Sequence, residues 1–151
     1  MQSGRQTGGD AAFKSARHEV NEMALQSTVS TSAGRILVVD DDKRARDFIV
    51  SSLRADGHEV DASSNSLEAL RMLGRSWYDL IVSELRMPEL DGPSLYSEVT
   101  RRWPSPPPVL FTSGLGNTSA YDGFLEVIRA PLLTKPFRSG SLRRIIKRLL
   151  E

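Results

Sequence analysis

Between residues 35 and 150 the chain alternates short apolar runs with segments of helical period, and this alternation restricts the fold more than any other feature. The first run, "RILVV", is continuous, apolar and β-branched, as a strand covered on both faces must be. It is followed by "KRARDFIVSSLRADG", where Ala45, Phe48, Ile49, Ser52 and Leu53 fall at helical spacing and Gly57 supplies a C-terminal stop. "HEVDA" reads as a short second strand. "NSLEALRMLG" reads as a helix with Asn65 as N-cap, Glu68 completing a capping box and Gly74 closing it. "YDLIVS" is the third strand, and "PSLYSEVTRRW" a helix entered through Pro93. After the stiff connector "PSPPP" come the strand "VLFTS", a shorter helix over residues 117–129, and the strand "PLLTK". The last helix, "SGSLRRIIKRLLE", is apolar at Leu142, Ile145, Ile146 and Leu149.

Five strands alternating with five helices imply parallel βαβ units. Right-handed crossovers leave few topologies, and an open doubly wound α/β sheet is the expected one. Such a sheet carries its site outside the C-terminal ends of its strands. Strand one ends there in Asp40, Asp41 and Asp42, strand three in Glu84, strand four in Thr112 and Ser113, and strand five in Lys135, Pro136 and Phe137. Charges gather at strand ends simply because loops are wet, but four strands contributing to one edge is a poor match to chance. Asp40, Asp41 and Glu84 would concentrate negative charge that only Lys135 offsets. Like charges about 4 Å apart repel by about 4 kcal/mol at an effective dielectric near 20. Such a cleft favours a divalent cation or a protonated carboxylate, and an oxygen-only donor set suits Mg2+.

The motifs "ILVVDDD", "DLIVSELRMPELDG", "VLFTSG" and "LLTKPF", in this order and spacing, resemble the response-regulator receiver domain of two-component signalling. The resemblance implies a flavodoxin-like five-stranded parallel sheet of order 2-1-3-4-5, with residues 34–151 as the receiver. "FTSG" and "FLEVIRAPLLTKPF" are most similar to receivers attached to hybrid sensor histidine kinases. By position, Asp40 and Asp41 match the acidic pair, with Asp41 the direct Mg2+ ligand, and Arg86 lends its backbone carbonyl to the metal. Thr112 matches the switch hydroxyl. Lys135 matches the lysine that holds the phosphoryl group, and Pro136 its cis-proline. Glu84 stands where the family has its phosphoaccepting aspartate, and Leu132 where a switching aromatic is common. The implied partners are a histidine kinase or phosphotransfer protein, and a second copy through the last strand and last two helices.

Glu84 is the main departure. One additional carbon–carbon bond, about 1.5 Å long, pushes the carboxylate into the cleft. Misplacement by about 1 Å costs a reaction of this kind about a hundredfold. The expectation is a module that does not accept phosphate, with weakened Mg2+ binding at Asp40, Asp41, Glu84 and the Arg86 carbonyl. It would act by conformation and binding, not as an enzyme. Glu84 either imitates the phosphorylated state or forms an inert salt bridge to Lys135. A competing reading is a magnesium-dependent phosphatase similar to haloacid dehalogenases, since Asp40-x-Asp42 follows strand one; 151 residues leave no room for its cap domain.

Residues 1–33 are polar and rich in Gly, Ser and Thr, and are expected to form a flexible extension with a short helix in "AAFKSARHEVNEMAL". His18 lies there, without the downstream proline of a phosphoaccepting histidine. His58 opens a strand and is expected to be structural; Asp91 and Gly92 read as a turn. "RSGSLRRIIKRLLE" is a basic solvated helix face or a docking face. A net charge of +1 gives no reason to expect nucleic acid as partner, and the lack of cysteine excludes disulfides and thiolate chemistry. No apolar run approaches the roughly 18 residues of a membrane span, and no secretory signal opens the chain. A cytoplasmic location is expected. No helix-turn-helix, kinase nucleotide box or hydrolase motif follows the receiver, so its output is expected in another chain or in a longer parent.

Overall fold

The computed structural model describes residues 33–114 and 118–151. The expected N-terminal extension, its short helix and His18 therefore fall, but for Ala33, outside the described residues. The elements run β1 (Arg35–Val39), α1 (Lys43–Ala55), β2 (Glu59–Ser63), α2 (Ser66–Arg75), β3 (Leu80–Glu84), α3 (Gly92–Arg102), β4 (Val109–Ser113), a 3-10 turn (Ser119–Tyr121), α4 (Asp122–Ile128), β5 (Leu132–Thr134) and α5 (Ser139–Leu150). All five strands are parallel, in the order β2-β1-β3-β4-β5. The alternation implies a doubly wound parallel sheet, and this is its flavodoxin-like form, with the order that the resemblance implies.

Strand periodicity divides the core into two layers. Leu37, Val39, Ile81 and Phe111 face one side, where they meet Leu70 and Leu73 of α2 and Leu95 and Val99 of α3. Ile36, Val38, Leu80, Val82 and Leu110 face the other, against Ile49 and Leu53 of α1 and Leu142 and Ile146 of α5. Every residue of β3 and β4 is buried, which explains why their sequences are continuous and not alternating.

Helix ends account for several local choices. Asp42 caps α1 by accepting from the Arg44 amide at 3.0 Å, and Gly57, at φ 93°, lets the chain leave it. Asn65 caps α2 through the Glu68 amide at 2.8 Å. The expected reciprocal bond is replaced, because the Asn65 amide donates to Ser63 Oγ at 3.2 Å and Glu68 Oε1 lies 3.4 Å from that hydroxyl. Gly74 lies within α2, which runs on to Arg75. Asp91 is the N-cap of α3, accepting from the Ser94 amide at 2.9 Å, and Gly92 is already helical, so the expected turn is a helix start. Among the described residues no helix is long and apolar enough to cross a membrane.

Candidate functional site

The C-terminal ends of β1, β3, β4 and β5 converge on a cleft of roughly 210 Å³, whose lining includes Asp40, Asp41, Glu84, Arg86, Ser113 and Lys135. Asp40 leaves β1 only 1% exposed. Its Oδ1 accepts from the Asp42 amide at 2.9 Å and its Oδ2 from Lys135 Nζ at 2.7 Å. Glu84 ends β3 at 5% exposed. Its Oε1 accepts from Lys135 Nζ at 2.6 Å, and its Oε2 from the amides of Leu85 at 3.0 Å and Arg86 at 3.3 Å. The Lys135 amide donates to the Ser113 carbonyl at 2.8 Å, which ties the lysine to the end of β4.

Lys135 is the hub of this cluster. Burial alone would pull its ammonium below the ordinary lysine range, but hydrogen bonds and attraction from Asp40 and Glu84 outweigh it and hold the pKa above 10.5. The ammonium is thus a fixed cation clasped by two buried carboxylates. Removing either kind of partner would leave a buried charge uncompensated.

The other acidic residues separate into two roles. Asp42 is exposed and spends its carboxylate on the α1 cap. Asp41 is exposed on the cleft. The two β4 hydroxyls also part company. Thr112 is fully buried and does not line the cleft; Ser113, at 2% exposed, does. Neither hydroxyl has a hydrogen-bond partner among the described residues. "VLFTSG" offers adjacent hydroxyls, and spacing alone does not say which reaches the cleft. The Lys135–Pro136 peptide is cis, as expected.

Gly92 is a site residue that sequence reasoning read only as a turn. A Cβ there would stand 2.5 Å from the Glu84 carbonyl oxygen, so α3 can begin against the acidic loop only with glycine. The available signal was Gly followed by Pro93 at a helix start. Arg86 was foreseen only for its carbonyl, yet its guanidinium lies 5.4 Å over the Tyr121 ring. His58 sits at the opposite edge of the sheet, where its Nδ1 accepts from the Gly34 amide at 2.9 Å, a structural role as expected.

The donor set suits a hard cation in kind, being carboxylate and carbonyl oxygen. It is poorly disposed for one in number. Asp40 and Glu84 each spend one oxygen on Lys135 and the other on backbone amides, which leaves Asp41 as the cleft-lining carboxylate with no hydrogen-bonded partner among the described residues. Among the described residues no three acidic or histidine side chains come together as a metal cage.

Comparison with known proteins places this cleft in context. The family model for the response regulator receiver domain matches residues 36–147. The response regulator protein FleR of Pseudomonas aeruginosa is 32% identical over 119 residues, which cover 77% of this chain and 24% of FleR. The chain thus spans about a quarter of that relative's length. A putative response regulator from Chloroflexus aurantiacus superposes with a TM-score of 0.71 at 28% identity, over 79% of this chain and 98% of that one. The signal receiver domain of a signal transduction histidine kinase from Syntrophus aciditrophicus gives a TM-score of 0.67 at 30% identity, over 78% and 90% of the two chains. These matches lend the dehalogenase-like phosphatase reading no support.

Proposed function

The chain belongs to the response regulator receiver domain family, and from that premise we propose that it is a receiver module whose phosphoacceptor position is held by Glu84. In this reading the module does not take up phosphate. It acts through its conformation and through protein partners, namely a histidine kinase or phosphotransfer protein, in the cytoplasm. The observation that carries the reading is the clasp at Lys135: Glu84 Oε1 lies 2.6 Å from the ammonium while Oε2 is anchored by two amides.

The longer side chain explains why attack is blocked. A nucleophilic carboxylate must present a lone pair in line with an incoming phosphoryl group. Glu84 instead spends both oxygens on fixed donors, and its additional methylene places them about 1.5 Å further into the cleft than aspartate would. Its carboxylate occupies space next to Lys135 that a phosphoryl oxygen would need. The imitation of a phosphorylated aspartate is partial, since Glu84 holds Lys135 but neither β4 hydroxyl is bonded to it. Asp40, Asp41, Lys135 and the Arg86 carbonyl keep the roles that their positions imply, and the hydroxyl role passes from Thr112 to Ser113, which lines the cleft. When bound at Asp41, Glu84 and the Arg86 carbonyl, Mg2+ would supply charge neutralisation for a transferring phosphoryl group; in this chain its affinity is expected to be low.

Acetyl phosphate with Mg2+, followed by intact-protein mass spectrometry, tests the proposal. The unmodified chain should gain no phosphoryl group, and Glu84→Asp should gain one that is lost at alkaline pH, as an acyl phosphate is. Lys135→Ala in the Glu84→Asp background should reduce labelling, because the transferring group loses its cation. Labelling of the unmodified chain at Glu84 would sink the idea. So would a Glu84→Asp variant that binds Mg2+ and stays unlabelled.

A further inference from the structure

α4 is lightly anchored. It has seven residues, none of them fully buried, and neither it nor the preceding 3-10 turn has a side-chain cap. It ends at Arg129 in the left-handed region, φ 56°. Its hold on the sheet comes from half-buried Phe124, Leu125 and Ile128, with the Phe124 ring edge-on to Phe111 at 5.6 Å and to Tyr96 at 5.7 Å. Short elements with few buried contacts occupy the low end of local stability, and from such elements two-state motions are drawn.

Tyr121, at the start of α4, is joined twice to the loop that follows β3. The Arg86 guanidinium lies 5.4 Å over its ring, and its hydroxyl is 3.5 Å from Asp91 Oδ2. Arg86 is also a cleft residue, whose amide donates to Glu84 Oε2. A contiguous path therefore runs from the Glu84 carboxylate through Arg86 to Tyr121 and into α4. The Tyr121 hydroxyl is held above the ordinary tyrosine range by burial first and by Asp91 next, with Arg86 opposing and Glu84 adding to the shift.

We propose that the Arg86–Tyr121 contact transmits the charge of the acidic cleft to α4. The guanidinium is pulled by the cleft carboxylates on one side and by the ring face on the other. Negative charge added to the cleft draws it away from Tyr121, and negative charge removed lets it settle on the ring. The ring then fixes or releases the first turn of α4, an element weak enough to respond. A difference in interaction free energy between two charge states is what such a shift requires. The inference rests on the receiver reading only in taking the cleft as the input.

The experiment uses the full chain, isotopically labelled for amide NMR, with Glu84→Gln as the charge perturbation. Glu84→Gln is expected to shift the amides of residues 85–87 and those of residues 119–128. In a Tyr121→Leu background the first set should still move and the second should not. Arg86→Gln, which breaks the contact from the other side, should give the same loss, and Tyr121→Phe, which keeps the ring, should retain the response. Hydrogen exchange in α4 should accelerate about 2- to 5-fold in Tyr121→Leu, the size of an exposed cation–π contact. Unchanged sheet amides in each variant report that the fold is intact. The proposal fails if the α4 shifts survive undiminished in both Tyr121→Leu and Arg86→Gln. It fails equally if Glu84→Gln never reaches α4 in the parent chain. No phosphoryl donor or metal enters this test, so its failure is separate from a failure of Glu84→Asp to accept phosphate.

Discussion

Gly92 is pressed against Glu84: a Cβ on the glycine would stand 2.5 Å from the Glu84 carbonyl oxygen and 3.0 Å from the Phe111 ring, while the Gly92 amide donates to the Leu85 carbonyl at 2.9 Å. The obstructing atom is backbone and cannot rotate away. Gly92→Ala should therefore destabilise the domain by about 1–3 kcal/mol, the usual cost of forcing a methyl into packed structure. Urea unfolding measures it, and an unchanged midpoint would show that α3 slides at no cost.

Replacing Lys135 exposes what its two bonds hold together. Asp40 and Glu84 would be left facing each other while nearly buried. Lys135→Ala should cost roughly 3–5 kcal/mol at neutral pH. In the parent chain the folded-state pKa of Lys135 is raised above 10.5. Its contribution is thus complete below about 10.5 and is lost as the pH climbs through the higher folded value. Thermal melts at pH 7 and above pH 11 should separate the parent from Lys135→Met more at the lower pH.

His58 should make the domain acid-sensitive at a distance from the cleft. Its Nδ1 must be unprotonated to accept the Gly34 amide, and burial holds its pKa below 6.5, with attraction from Asp56 opposing. The unfolded chain then binds a proton that the folded chain refuses. Stability is full above about pH 6.5 and falls as the pH drops toward the lower folded value. His58→Gln, which keeps an acceptor but does not titrate, should flatten the melting temperature between pH 7 and pH 5.5.

Magnesium should bind the parent chain more weakly than Glu84→Asp. Retracting the carboxylate frees space and a lone pair beside Asp41, in a shell that demands oxygens at about 2.0–2.1 Å. Calorimetry is the suitable measurement, because Trp77 and Trp103 precede β3 and β4 and so lie at the sheet edge opposite the cleft. Equal affinities in the two proteins would remove Glu84 from the account of the metal.

The two β4 hydroxyls give a paired comparison. In the Glu84→Asp background, Ser113→Ala should slow labelling by acetyl phosphate severalfold. Thr112→Val should change it much less, because Thr112 is packed away from the cleft. Comparing time courses by mass spectrometry decides between them, and the reverse order would return the switch role to Thr112.

The parallel sheet was legible because apolar runs alternate with segments of helical period, and its order followed from the resemblance carried by the four strand-end motifs. The convergence of Asp40, Glu84 and Lys135 followed from that order without any knowledge of side-chain positions. What remained hidden depends on directions that a sequence does not state. Thr112 and Ser113 are both small hydroxyl residues at a strand end, and only the path of the chain assigns one to the cleft. Glu68 satisfies the spacing of a capping box, but Ser63 outcompetes it for the Asn65 amide. The Arg86–Tyr121 contact joins residues far apart in the chain that no periodicity relates.

β5 forms one border of the sheet and is only three residues long, enclosed by Pro131 and Pro136. Prolines lack the N–H that a neighbouring strand would need, so the ladder cannot be extended far on that side. β2, at the other border, carries Glu59 and Asp61. Such borders resist the strand-to-strand templating that leads parallel sheets into aggregates. A self-association of this protein along β5 would consequently have to be built from side chains of the flanking helices, and its strength would be set by salt and substitution, not by shared backbone hydrogen bonds.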